Sequence, residues 1–197
     1  MKKVNLAVLI SGSGRTLQNF IDLIGQGKLP ATIQVVISSK DGVAGLARAR
    51  KHNIPAFAVE RKNHQSKEEF SQAINIILRR YPVDLITLAG FLKLYVIPPE
   101  YQRKVLNIHP ALLPDFGGDG FYGDKVHQAV LDAQAKESGC TVHFADNTYD
   151  TGPIILQKKV PVLAGDTVHT LADRVFEAEK EAYPEAIRLF AAGKIKV

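Results

Sequence analysis

Among the 197 residues there is one cysteine, Cys140, which excludes an internal disulfide and a cysteine-based zinc cage. So little thiol suits a reducing setting, and the expected location is the cytoplasm. No apolar run approaches the ~20 residues that cross a bilayer, so no membrane partner is expected. The opening Met1-Lys2-Lys3 before Val4–Ile10 faintly resembles a secretory leader. It runs into Ser11-Gly12-Ser13-Gly14-Arg15 without a small-residue cleavage site, so a buried strand entering a turn is the better account. Blocks of like charge are missing too. Twenty-five basic and 20 acidic residues leave a net +5, but the charges are scattered as on a solvated surface. A small polyanionic substrate fits this balance, and nucleic acid is not an expected partner. With no repeat, low-complexity segment or linker, residues 1–197 are expected to form one domain.

What is present is alternation. The composition, 46% hydrophobic and 23% charged, is that of a globular chain long enough to bury its own core. Val4–Ile10 has the near-continuous apolar character of a strand buried on both faces. Leu17, Phe20, Ile21 and Ile24 then recur at helical spacing. Further strands are expected at Thr32–Ser38, Ala56–Val59, Asp84–Ala89, Val105–His109, Cys140–Ala145 and Ile154–Val162. Helices are expected at Val43–Lys51, behind the Ser66/Glu69 capping box, after Pro98-Pro99, over Lys125–Ala135, and from Asp166-Thr167 to Ala192 with a bend at Pro184. This predicts an α/β fold: a Rossmann-like, mostly parallel twisted sheet with helices on both faces and an antiparallel strand pair near the C-terminal half. Pro110–Gly123 reads as a long loop of the kind that is functional or mobile.

Four constellations carry chemical potential. Ser11-Gly12-Ser13-Gly14-Arg15-Thr16 joins a strand to a helix N-terminus, whose free N–H groups and positive dipole end suit a phosphate. It is neither a P-loop nor a dinucleotide fingerprint, since Leu17 replaces the third glycine; the plain alternative is an ordinary βα turn. Asn107 and His109 point to one side of a strand, about 6.6 Å apart, at the C-terminal end where open α/β sheets place ligands. A core histidine bonded to a carbonyl is the plain alternative there. Asp150, before Thr151-Gly152-Pro153, is by itself ordinary turn chemistry, and His143 by itself is structural. Glu179 falls inside the apolar stripe of the last helix, where an unpaired carboxylate is costly. Either it pairs with an internal base or it faces a cavity and meets a ligand. Cys140 opens an apolar strand without an adjacent base and reads as an inert buried thiol.

Ile10–Gln18, Leu88-Ala89-Gly90-Phe91, Leu106-Asn107-Ile108-His109-Pro110-Ala111-Leu112-Leu113-Pro114, Cys140–Phe144 and Asp150–Gln157 together resemble the phosphoribosylglycinamide formyltransferases, folate-dependent enzymes of purine biosynthesis. The likeness runs from Val4 to the last helix. It implies formyl transfer from 10-formyltetrahydrofolate, as co-substrate, to the amine of glycinamide ribonucleotide, by a monomer or homodimer and without a metal. It implies Asn107, His109 and Asp150 as the catalytic set, with His143 in support. Gly14, Arg15 and Thr16 would hold the phosphate and Glu179 the ribose. Lys67, Leu92, Lys93, Leu94, Tyr95 and Asn107, with Ala145–Tyr149, would bind the folate. Residues 1–100 would then be the nucleotide-binding half and 101–197 the catalytic and folate-binding half. The chemistry suits these residue types: an amine attacking a formyl carbon makes a tetrahedral oxyanion, to which a protonated His109 and the Asn107 amide can donate. Asp150 is expected to raise the His109 pKa and favour the imidazolium. The stretch 115–123 is longer and more acidic than in many relatives, so no substrate contact is carried over onto it. Methionyl-tRNA formyltransferase and formyltetrahydrofolate deformylase share the catalytic block, but each has a further domain for which this chain has no residues. A formyltetrahydrofolate deformylase-type hydrolase therefore stands as the alternative enzyme. A non-enzymatic nucleotide-binding module is the alternative of another class, and it would not need the Asn107/His109 pair.

Overall fold

The computed structural model describes residues 3–195. The strands are β1 (Val4–Ile10), β2 (Ala31–Ser38), β3 (Ala56–Ala58), β4 (Leu85–Leu88), β5 (Val105–His109), β6 (Glu137–Phe144) and β7 (Ile154–Pro161). The helices are α1 (Arg15–Gly25), α2 (Ala44–Lys51), α3 (Lys67–Leu78), α4 (Asp124–Asp132) and α5 (Val168–Ala191). The sheet order is β3-β2-β1-β4-β5-β6-β7. Strands β3 to β5 run parallel, as the alternation predicts. β6 runs antiparallel to both β5 and β7. After β1 the chain builds outward to β3, then returns to lay β4 on the other side of β1. The C-terminal ends of β1 and β4 therefore flank the switch point at which such sheets bind ligands.

Two cores follow from the period of two along each strand. In β1, Leu6, Val8 and Ile10 join one core with Leu17, Phe20, Val175 and Tyr183, while Ala7 and Leu9 join the other with Phe70, Ile74 and Leu78. Burying each large aliphatic side chain stabilises the fold by about 1.5–3 kcal/mol relative to exposure. α5 is tied to the sheet by Tyr183. Its ring meets Phe20 edge-on at 5.2 Å between centroids, and its hydroxyl donates to the Leu106 carbonyl of β5 at 2.8 Å. Pro184 does not interrupt α5. The Lys180 carbonyl, which a proline four residues on leaves without its helical donor, accepts from the Asn19 amide at 2.9 Å.

Most boundaries fall within a residue of expectation, the helix expected after Pro98-Pro99 is a single 3-10 turn, Pro99–Tyr101, and the largest difference lies between α4 and β6. α4 ends at Asp132 and β6 begins at Glu137 rather than Cys140. The polar start of β6 is concealed in sequence because its outer end is held by a cross-strand pair, Lys159 donating to Glu137 at 2.7 Å. No helix among the described residues is long and apolar enough to cross a membrane.

Candidate functional site

The antiparallel register places Asn107 directly opposite His143. β6 runs on to Phe144, its pairing with β7 shifting at Val142/His143 where Ile155 of β7 is extra, and the chain turns back at Asp150-Thr151-Gly152-Pro153. Gly152 is required there, since a Cβ would stand 1.8 Å from the Phe144 carbonyl oxygen. This turn brings Asp150, at φ 58°, against the end of β5. Asp150 then collects four groups. It accepts from the Asn107 amide at 3.1 Å and from the Gly118 N–H at 3.0 Å. Its oxygens lie 3.3 Å from His109 Nδ1 and 3.6 Å from His143 Nε2.

These partners fix protons. His143 Nδ1 is 2.8 Å from the Phe144 carbonyl, which only accepts, so that nitrogen carries the hydrogen. Nε2 is left to accept from the Asn107 amide at 3.0 Å. Asn107 thus commits both amide hydrogens, to His143 and Asp150, and its Oδ1 has no hydrogen-bond partner among the described residues. Donation from this amide to an oxyanion would therefore require one of these two hydrogen bonds to be exchanged. His109 Nε2 donates to the Phe116 carbonyl at 2.8 Å. Burial lowers the His109 pKa; Asp150 and the Phe116 carbonyl push it back up without offsetting the burial. Asp150 thus raises the His109 pKa as expected, while burial brings the balance below the ordinary value. Both ring nitrogens nevertheless face acceptors, which suits a proton held briefly. The Asp150 carboxyl is held below the usual range against its burial, by the Gly118 N–H it accepts and by the charge of the adjacent imidazoles when they are protonated.

A cleft of about 360 Å³ runs from this cluster to the N-terminus of α1 and the side of α5. Gly14 caps α1 in the left-handed region, at φ 70°, and a Cβ on it would lie 2.8 Å from the Gly45 Cα. No side chain caps that first turn, so its amides are open to an acceptor. Arg15 and Thr16 line the cleft, as does Glu179. Arg15 stacks over Phe176 at 3.8 Å and bonds Asp173 at 3.1 Å. Of the two readings left open for Glu179, the cavity is the one observed. Burial pushes its carboxyl up to about 7, offset in part by Arg15, and no ion pair holds it among the described residues. Cys140 is buried, its thiol pushed up to about 12, as expected of an inert group.

A second, smaller pocket adjoins. It is lined by Lys93, Leu94, Tyr95, Ala145, Asp146, Thr148 and Tyr149, and it shares Phe91, Asn107, Tyr149 and Asp150 with the larger cleft. Leu92 lines the larger cleft only. Tyr95 turns its hydroxyl away, donating to Asn75 at 2.5 Å in the core. Lys67 lines neither pocket; it is the exposed first residue of α3. Its carbonyl accepts from Ser71, whose hydroxyl in turn accepts the Val96 N–H at 2.9 Å. Sequence reasoning missed Ser71 and Asn75, which hold the irregular segment 91–97; Asn147, within the expected 145–149 stretch, joins them, its Oδ1 accepting the Ile97 N–H at 2.7 Å. It also missed His127, buried in the cleft wall on α4 with Nδ1 unpartnered among the described residues. Amphipathic spacing alone marks that histidine as core.

Fold and site together define an α/β protein with a crevice at its switch point and a second pocket sharing one polar wall with it. Residues 4–187 match the formyl transferase family model, and the chain belongs to that family. It is 41% identical to phosphoribosylglycinamide formyltransferase of Haemophilus influenzae, over 100% of this chain and 91% of that protein. It is 43% identical to the trifunctional purine biosynthetic protein adenosine-3 of Gallus gallus, over 99% of this chain but only 19% of that protein. Among solved structures, glycinamide ribonucleotide transformylase 1 from Symbiobacterium toebii superposes with a TM-score of 0.91 at 41% identity, covering 99% of this chain and 91% of that one.

Proposed function

We propose that the chain transfers a formyl group from 10-formyltetrahydrofolate to the amine of glycinamide ribonucleotide, in purine biosynthesis. The observation that carries this reading is the shared wall. Asn107 and Asp150 line both pockets, so two molecules, one in each, meet at these side chains. The larger cleft has the open amides of α1 for a phosphate and the Glu179 carboxylate for ribose hydroxyls. The smaller pocket, with the 92–95 and 145–149 segments, takes the folate ring. In the reaction the amine nitrogen bonds the formyl carbon, the bond from that carbon to the folate nitrogen breaks, and the proton shed by the amine ends on that nitrogen. Asn107 Oδ1 accepts an N–H of the attacking amine and aims it. His109 turns its Nε2–H from the Phe116 carbonyl to the formyl oxygen and donates a hydrogen bond as charge develops there, keeping its own proton. Asp150 steadies the ring whenever it takes up the proton.

The test is incubation of the chain with both compounds, following the absorbance of released tetrahydrofolate. Release that requires the ribonucleotide is expected. Release at the same rate without it would assign the hydrolytic reading instead, and no release would remove both.

A further inference from the structure

The functional reading puts two substrates in two pockets but leaves open how occupancy of one reaches the other. A single buried hydroxyl ties the turn at the larger cleft to Leu92, which lines that cleft and leads directly into Lys93, Leu94 and Tyr95 of the smaller pocket. Ser11 follows β1, Ser39 follows β2, and Leu92 lies four residues beyond β4; these three strands are adjacent in the sheet. The Ser11 and Ser39 hydroxyls are 2.6 Å apart, and the Leu92 N–H donates to Ser11 Oγ at 2.8 Å. Both serines are buried. Main-chain bonds continue the tie, from the Ser39 N–H to the Ile10 carbonyl at 3.0 Å and from the Ala89 N–H to the Leu9 carbonyl at 2.8 Å.

The consequence follows from what each partner belongs to. Ser11 is the first residue of the turn whose amides face the larger cleft. Leu92 begins the 92–95 stretch that has neither helix nor strand, and its side chain is 40% exposed. An anion held by the turn restricts Ser11, and a restricted Ser11 restricts the Leu92 amide. The ordering that the second ligand requires is then partly complete.

We propose that the Ser11 hydroxyl is a positioning group that couples the two pockets, so that ribonucleotide on the 11–16 turn tightens the hold on folate and, by reciprocity, the reverse. This rests on the assignment of the two pockets made above. The experiment is calorimetric titration of the full chain with glycinamide ribonucleotide, alone and under saturating tetrahydrofolate, which carries no formyl group and cannot react. The readout is the ratio of the two dissociation constants, in which any general weakening by a substitution cancels. The wild-type chain is expected to bind the ribonucleotide about five-fold or more tightly with folate present. Ser11→Ala is expected to bring the ratio close to one, and Ser11→Thr, which keeps the hydroxyl, to restore it. A wild-type ratio of one, or a Ser11→Ala ratio equal to that of the wild type, overturns the coupling while leaving the pocket assignment intact. Failure of either ligand to bind the wild-type chain overturns the assignment and the coupling with it. Hydrogen exchange gives a check that needs no variant. The Leu92 amide of the wild-type chain should exchange several-fold more slowly with ribonucleotide alone, and unchanged exchange there refutes the proposal.

Discussion

The two ends of the large cleft are built on opposite principles. At the β5 end the polar groups, Asn107 Oδ1 excepted, hold one another: Asp150 meets Asn107, Gly118, His109 and His143, and the outer nitrogens of both imidazoles are closed by the Phe116 and Phe144 carbonyls. At the α1/α5 end they do not. The first turn of α1 has no side-chain cap, and Glu179 has neither an ion pair nor a hydrogen bond among the described residues. Groups that must hold a reacting geometry gain from partners that lock their rotamers. Groups that bind gain from having partners withheld until a ligand supplies them, at a cost in stability. The first end is thus locked in place before substrate arrives, with Asn107 Oδ1 left to receive it, and the second gains its partners with the substrate.

The largest effect expected from breaking this contrast is at the satisfied end. His109→Ala should lower turnover by about 10²–10⁴-fold and leave ribonucleotide affinity within a few-fold, because its donation serves charge that develops only during reaction. Turnover within ten-fold of the wild type would show that the cluster is structural. Asp150→Asn should cost less, about 10²-fold, and should carry a pH signature. Burial already holds the His109 pKa below its ordinary value, and Asp150 is the main group pushing it up. Removing that charge lowers the pKa further, so any limb of the rate profile that needs a protonated His109 moves to lower pH. The stability sign is separate. A histidine whose folded pKa is depressed costs stability as pH falls from about 6.5 toward the folded value, and Asp150→Asn should start that loss at the same pH but extend it further down. Rate and denaturant-unfolding profiles over pH check both, and superimposable profiles would refute the electrostatic role.

Much of this was legible in the chain. Strand and helix order follow from periodicity, and Asn107 and His109 are two apart on a strand that ends at Pro110. Asp150 and His143 are not legible by pattern. Their meeting with Asn107 depends on the β5–β6 register and on a glycine turn that a Cβ would block, and only the family likeness pointed to them. The rest was concealed because it rests on main-chain atoms or on net balances. The Phe116 carbonyl against His109 and the Leu92 amide against Ser11 belong to segments without regular structure. Whether burial or Asp150 prevails at His109 is a difference of opposed effects that spacing does not encode. Glu179 was readable as misplaced within an apolar stripe, but whether base or cavity met it needed the third dimension.

Glu179→Gln sharpens the contrast at the unsatisfied end. The loss of a charged hydrogen bond should weaken the ribonucleotide by roughly 1–3 kcal/mol, with tetrahydrofolate affinity hardly changed. Stability should move the other way. The folded carboxyl titrates at about 7, above its unfolded value, so the group favours folding at low pH and loses that contribution as pH rises through 7. The variant should therefore melt higher than the wild type at pH 8, with the advantage shrinking toward pH 5. A lower melting temperature with unchanged ribonucleotide affinity would mean that Glu179 serves the fold instead.

The smallest effect expected is at Lys67. The resemblance sets it near the folate tail, yet its side chain stands exposed at the start of α3 and lines neither pocket. Its link to the folate segment runs through its carbonyl, by way of Ser71 to the Val96 N–H, and a side-chain substitution leaves that path intact. What the ammonium can add is attraction for an anionic tail across solvent, worth about 1 kcal/mol or less and screened by salt. Lys67→Ala should thus raise the KM for 10-formyltetrahydrofolate by about five-fold or less at low ionic strength and have little effect near 0.5 M salt, with kcat unchanged. Ser71→Ala makes the comparison decisive, since it removes the acceptor for Val96 and should disturb folate binding regardless of salt. If Lys67→Ala instead costs ten-fold or more in a salt-independent way, the lysine reaches a bound folate directly, and the α3 end of the pocket closes further around its ligand than the present geometry shows.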